Sequence, residues 1–208
     1  MTLLEWYEKG KTYLDLMAQC EAMIRFVAEA LGRPGAIQYG GKRISLECPW
    51  ERLSVKDSFS RYTHMEVKQA VENGCFDEVM GMEIEPRLGH ESPLFLIDYP
   101  LEKGAFAKIR SEGSPVAERF ELYIAGLELC NAFTELTDPV EQKKRFIQEN
   151  AIRKTMGKQA YPMPENFLNA LNQMPEAAGA ALGVDRLVML FTDSALIDDV
   201  TAFTPEEL

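Results

Sequence analysis

The stretch Gly179-Ala180-Ala181-Leu182-Gly183-Val184-Asp185-Arg186-Leu187-Val188-Met189-Leu190 constrains this chain more than any other. A strand of small residues turns through Gly183 directly into an apolar helix, whose packed face is Val184, Leu187, Val188, Leu190 and Phe191. Arg186 sits in the first turn of that helix. A helix start has unpaired N–H groups and a partial positive charge, so an arginine is disfavoured there unless an anion lies between them. Two accounts follow: a phosphate site, or an Asp185 that favours the first turn beside an Arg186 laid along the surface against a carboxylate.

With 208 residues, 46% hydrophobic and 26% charged, the chain is long enough to bury a core, and 1–208 reads as one globular domain. No apolar run approaches the ~18 residues that span a bilayer, and Met1 to Gly10 lacks a signal-peptide pattern. No membrane association and a cytoplasmic location are expected. Cys20, Cys48, Cys75 and Cys130 are scattered, with only His64 and His90 to join them, so neither zinc nor structural disulfides are expected. Each cysteine reads as a small buried or half-buried apolar residue. A net charge of -11 opposes extended contact with a polyanion. Lys143, Lys144, Arg145, Arg153, Lys154 and Lys158 read as a solvated helix face interrupted by Glu141 and Glu149.

Along the chain, a short strand is predicted over Met1 to Tyr7 and a helix from about Lys11 to Ala30. A hairpin follows around Gly40-Gly41. Pro49 to Thr63 reads as a loop and a short helix, and His64 to Glu83 as one or two helices broken at Asn73-Gly74. A strand over Leu94 to Ile97 is expected to stop at Asp98-Tyr99-Pro100. Phe120 to Ile124 and Leu127 to Leu136 form a hairpin about Ala125-Gly126. Asp138-Pro139 starts a helix running to about Thr155, with Glu141 completing a capping box, and a short helix over Pro164 to Gln173 precedes the terminal unit. The fold class is therefore α+β, an antiparallel β-sheet flanked by helices.

A two-residue turn at Ala125-Gly126 pairs Tyr123 with Glu128, which places Glu121 and Glu128 diagonally on one side. Two carboxylates suit Mg²⁺; the alternative is a solvated sheet face. Asn131, Phe133 and Glu135 share a face with one another, but period-two parity puts them opposite Glu128. One shared pocket therefore requires a β-bulge between Glu128 and Asn131.

Together these pieces resemble the catalytic core of class II lysyl-tRNA synthetases and, more closely, the stand-alone elongation factor P lysine ligases. The resemblance rests on Leu4-Glu5-Trp6-Tyr7, on Val116-Ala117-Glu118-Arg119-Phe120-Glu121-Leu122-Tyr123, on Gly126 through Asp138, and on Gly183-Val184-Asp185-Arg186. It implies that Arg186 and Gly183 meet ATP, with Arg186 on its phosphate tail. It implies also that Glu121 and Glu128 hold Mg²⁺ on ATP, Arg186 and Glu128 being the catalytic pair. Glu135 would read the distal amine of lysine; Glu5, Tyr7, Asn131 and Phe133 would complete the amino-acid pocket. Ala181 resembles the ligases, where alanine is associated with (R)-β-lysine, whereas Thr134 resembles the synthetases.

The implied reaction is attack of a carboxylate on the α-phosphate of ATP, giving an aminoacyl-adenylate that is passed to a lysine of elongation factor P. The alternatives are a lysyl-tRNA synthetase fragment serving tRNA-Lys, or a catalytically silent binding module. The matched residues begin at the second strand of motif 2. Motif 1, which builds the homodimer of full-length members, and the body of motif 2 are not in the chain, which reads as the C-terminal portion of the catalytic domain.

Overall fold

The computed structural model describes residues 2–111 and 115–204. Strand β1 (Leu3–Lys9) leads into α1 (Tyr13–Ala30), where the Asp15 carboxylate accepts the Thr12 backbone N–H at 2.9 Å to close the first turn. The hairpin β2 (Ala36–Tyr39) and β3 (Lys42–Ser45) turns on Gly40 and Gly41, both at positive φ as expected. Next come β4 (Glu51–Ser54), α2 (Val55–Tyr62), α3 (Val67–Glu72) and α4 (Phe76–Val79), which runs on through π-helical and 3₁₀ turns to Arg87. The second half is β5 (Leu94–Pro100), β6 (Val116–Ile124), β7 (Leu127–Thr134), α5 (Pro139–Thr155), α6 (Glu165–Leu171), β8 (Ala177–Gly183) and α7 (Val184–Thr192).

Six strands form one sheet in the order β1-β8-β7-β6-β5-β4, antiparallel throughout except for the parallel pair β4–β5. Side chains alternate between its faces, so each face has its own core. One face packs Phe120, Leu122, Cys130, Ala132, Ala178 and Leu182 against Leu16, Met17, Cys20 and Ile24 of α1. The other, at the β5–β6 side, packs Leu94, Leu96, Tyr99 and Tyr123 beneath Phe59, Phe76 and Ile84. The α2–α4 segment stops there. That same face is left open across β7, β8 and β1, where the small residues of β8 leave space above the sheet.

Four expectations change. Leu94 to Ile97 does not end at Asp98: a bulge with Asp98 at φ 64° carries the strand on to Pro100. Its carboxylate is gripped by Arg110, which also donates to the Tyr13 hydroxyl. Glu51–Ser54 is a strand inside the segment read as loop and helix. Asp138 caps α5 through the Val140 and Glu141 N–H groups, but the Glu141 carboxylate turns to Arg145 and Lys144. Cys48 is exposed, while Cys20 and Cys130 are buried with their sulfurs 3.9 Å apart. The cationic face of α5 is a paired surface: Lys143 meets Glu165, and Arg153 lies over Tyr161. Met1 and the last residues, 205–208, lie outside the described residues. Among the described residues no helix is long and apolar enough to cross a membrane.

Candidate functional site

The hairpin turn is the two-residue kind expected, with Ala125 at φ 54° and Gly126 at φ 78°. Tyr123 pairs with Glu128, Leu122 with Cys130 and Glu121 with Asn131, so Leu129 is an extra residue on β7. This is the bulge the sequence required. It re-phases the strand, and Glu128, Asn131 and Phe133 emerge on one face.

Two cross-strand lines result. The first runs Glu121–Asn131–Ala181–Glu5 across β6, β7, β8 and β1, and the second Arg119–Phe133–Gly179–Tyr7. A cavity of about 320 Å³ lies over them, lined by Glu5, Tyr7, Gly104, Ala105, Arg119, Asn131, Phe133, Glu135, Gly179, Ala180 and Ala181. All six residues expected to bind the amino acid are in its wall. Glu121, Glu128, Gly183 and Arg186 lie farther along the same face, so the predicted single pocket is a cavity with a separate charged end.

Glu135 is buried at the floor, and its Oε1 has no hydrogen-bond partner. Burial alone pushes its carboxyl up to about 7. The negative charges of Glu135 first and Glu5 last, with burial between them, raise the Tyr7 hydroxyl as well. Gly179 makes room for the pair: a Cβ there would lie 2.5 Å from Glu135 Oε1 and 2.7 Å from Tyr7 Cε1. Thr134 faces away, its hydroxyl accepting the first N–H of α1 from Tyr13 at 3.0 Å.

At the charged end, Arg186 donates to the Glu128 carbonyl at 2.5 Å and stands 3.6 Å from its carboxylate. The carboxylate partner proposed for a surface arginine is thus Glu128. The stem of Arg186 packs on bare Gly183, where a Cβ would touch its Cδ at 3.6 Å. Burial, then the charge of Glu121, raises the Glu128 carboxyl, against the pull of Arg186. Glu85 is raised by burial and by both of these acids, which puts a third carboxylate at this end. Sequence reading missed it because Glu85-Pro86 reads as a turn.

Glu121 is occupied from both sides. Tyr99 and Tyr123 donate to Oε2, each at 2.6 Å, while Arg119 and Asn131 reach Oε1 at 2.5 and 3.3 Å. Burial and the Glu121 charge hold both tyrosine hydroxyls well above their ordinary range, so they stay protonated donors. Arg119 was also missed, although period-two alternation from Glu121 places it on the site face.

The family of tRNA synthetases class II (D, K and N) matches residues 1–207. The chain belongs to this family. It is 37% identical over 225 residues to the lysine–tRNA ligase of Moorella thermoacetica, covering 97% of this chain and 45% of that ligase. The lysine–tRNA ligases of Pelotomaculum thermopropionicum and Carboxydothermus hydrogenoformans are 37% and 36% identical, with 97% of this chain and 44% and 46% of theirs covered. This class II chain therefore spans about half the length of the curated relatives it matches. The antiparallel sheet flanked by helices is the expected architecture of the family member read from sequence.

Proposed function

We propose that this chain is the amino-acid-binding part of a lysyl-tRNA synthetase-like ligase that activates lysine with ATP. One observation carries the reading: the unpartnered Glu135 Oε1 at the floor of the cavity, with Glu5 at its edge. A buried carboxylate without a donor is costly, and a ligand ammonium supplies both the donor and the opposite charge. Lysine fits with its side-chain ammonium on Glu135, its methylenes against Phe133 and Tyr7, and its carboxylate directed along Asn131 and Ala181 towards Arg186.

In the reaction, a carboxylate oxygen of lysine attacks the α-phosphorus of ATP. The bond to the bridging oxygen breaks, and pyrophosphate leaves with its electron pair. The chain contributes orientation, through the cavity, and cationic neutralisation, through Arg186, which would exchange the Glu128 carbonyl for phosphate oxygen. The Mg²⁺ implied by the resemblance needs carboxylate oxygens with open lone pairs. Glu128, half-exposed, fits that need. Glu121, with four donors on its two oxygens, does not.

The relatives are lysine–tRNA ligases, which favours tRNA-Lys as acceptor over a lysine of elongation factor P. The elongation factor reading, with (R)-β-lysine as substrate, rests on Ala181 in the cavity wall. Calorimetry of this chain with lysine, (R)-β-lysine and norleucine separates the cases. Binding of lysine and not norleucine is expected; equal binding of norleucine, or of none, would sink the reading. Pyrophosphate exchange by the Moorella ligase carrying this chain in place of its matching segment tests the chemistry.

A further inference from the structure

Glu121 lies where the two bulges of the sheet converge. The Asp98 bulge re-phases β5, so that Tyr99 turns to the face of Leu94 and Leu96, and the Leu129 bulge does the same for Asn131 on β7. Each bulge delivers a donor to one carboxylate, whose four hydrogen bonds match the roughly four lone-pair sites an ionised carboxylate has.

We propose that Glu121 is a positioning residue, a fixed anion that locks Arg119 and Asn131 into the cavity wall, and not the seat of a divalent metal. Mg²⁺ requires near-octahedral oxygens at about 2.0–2.1 Å. Taking it on would cost Glu121 at least one of its donors, and three of these come from residues that are buried or nearly so: Tyr99, Tyr123 and Arg119. Arg119 is held at every nitrogen: Nη2 on Glu121, Nη1 on the Lys103 carbonyl at 2.6 Å and Nε on Asn131 Oδ1 at 3.3 Å. Its guanidinium also stands 4.4 Å from the centre of the Tyr99 ring.

The consequence is selectivity. Glu121 neutralises Arg119, so the acidic groups left without a cationic partner around the cavity are Glu5 and Glu135, and the cavity favours a cationic amine, which draws Glu135 into its ionised form. Asn131 keeps one amide N–H and one carbonyl lone pair for a ligand. This role rests on the lysine reading only in naming the amine.

The test is NMR of the full chain, labelled with ¹³C and ¹⁵N. In Glu128→Gln, where the neighbouring acid cannot contribute, the carboxyl carbon of Glu121 is expected to stay unmoved as Mg²⁺ is added. A saturable shift would overturn the proposal. In the wild type the Arg119 Nε–H is expected to exchange with solvent slowly, and at least tenfold faster in Glu121→Gln. Fast exchange in the wild type, or unchanged protection in a folded Glu121→Gln, would overturn it too. Should Glu121→Gln fail to fold, the Mg²⁺ titration and the wild-type exchange rate decide. Adding lysine is a separate arm: a Glu135 carbon that does not respond sinks the lysine reading and leaves the Glu121 result standing.

Discussion

Glu135 Oε1 lies 2.5 Å from the point that a Cβ on Gly179 would occupy. The cavity floor therefore depends on a missing side chain. Gly179→Ala would push both the Glu135 carboxylate and the Tyr7 ring out of place, and overpacking of this kind costs about 1–3 kcal/mol. Part of that strain is relieved at the exposed Tyr7 side. The expected outcome is a modest drop in melting temperature with lysine affinity at least tenfold weaker by calorimetry. Unchanged affinity would show that Glu135 does not meet the ligand.

Burial raises the Glu135 carboxyl from its ordinary 4.5 to about 7, so the fold favours the neutral acid. A group raised in the folded state contributes stability that is complete below its unfolded pKa and is lost as pH rises through the folded one. Wild-type stability is thus expected to fall between about pH 5 and 8, and Glu135→Gln to lose that part of the slope. Urea denaturation across this range, run on both proteins, measures the difference. Parallel curves would count against a strained carboxyl.

A bound ammonium acts in the opposite sense, stabilising the ionised carboxylate and pulling its pKa down. Lysine affinity is expected to rise from pH 6 to 8, about tenfold at most per proton coupled, with protons released on binding. Calorimetry in buffers of different ionisation enthalpy counts them. Glu135→Gln should release none, and proton uptake by the wild type would place the amine elsewhere.

Much of the site was legible because residue parity is a strict constraint. Glu128 and Asn131 could share a face only through an inserted residue, and Leu129 is that residue. The Asp98 bulge escaped the same logic, since Asp-Tyr-Pro reads as a strand end. At its positive φ Asp98 has its carboxylate on Arg110, itself bound to Tyr13 on α1, a partnership no local pattern announces. Strand β4 was hidden for a similar reason: of Glu51-Arg52-Leu53-Ser54 only Leu53 is buried, and the partner is a parallel strand reached through three helices. Arg119 was within reach, one alternation from Glu121. Its hydrogen bonds to Lys103 and Asn131 were not, because they join separate elements.

The hairpin that carries the charged end gives a pair of predictions opposite in sign. Gly89 backs onto the strand so closely that a Cβ would lie 2.4 Å from the Tyr123 carbonyl oxygen and 2.9 Å from the Ile124 Cα. These are backbone atoms, and Gly89 is at φ 72° besides, so neither rotation nor small shifts relieve the collision. Its carbonyl and that of Leu88 accept the Ala125 and Gly126 N–H groups at 2.8 Å, so displacing it loosens the turn as well. Gly89→Ala is expected to cost about 3 kcal/mol or more. Ala125, by contrast, holds φ 54° with a side chain, a conformation that costs an L-residue about 1–2 kcal/mol. Ala125→Gly removes that strain, offset in part by the greater entropy of glycine when unfolded, and should stabilise by up to about 1 kcal/mol. Chemical denaturation of both variants reads the signs directly. Two losses would mean that the methyl group of Ala125 contributes more by packing than its backbone strain costs.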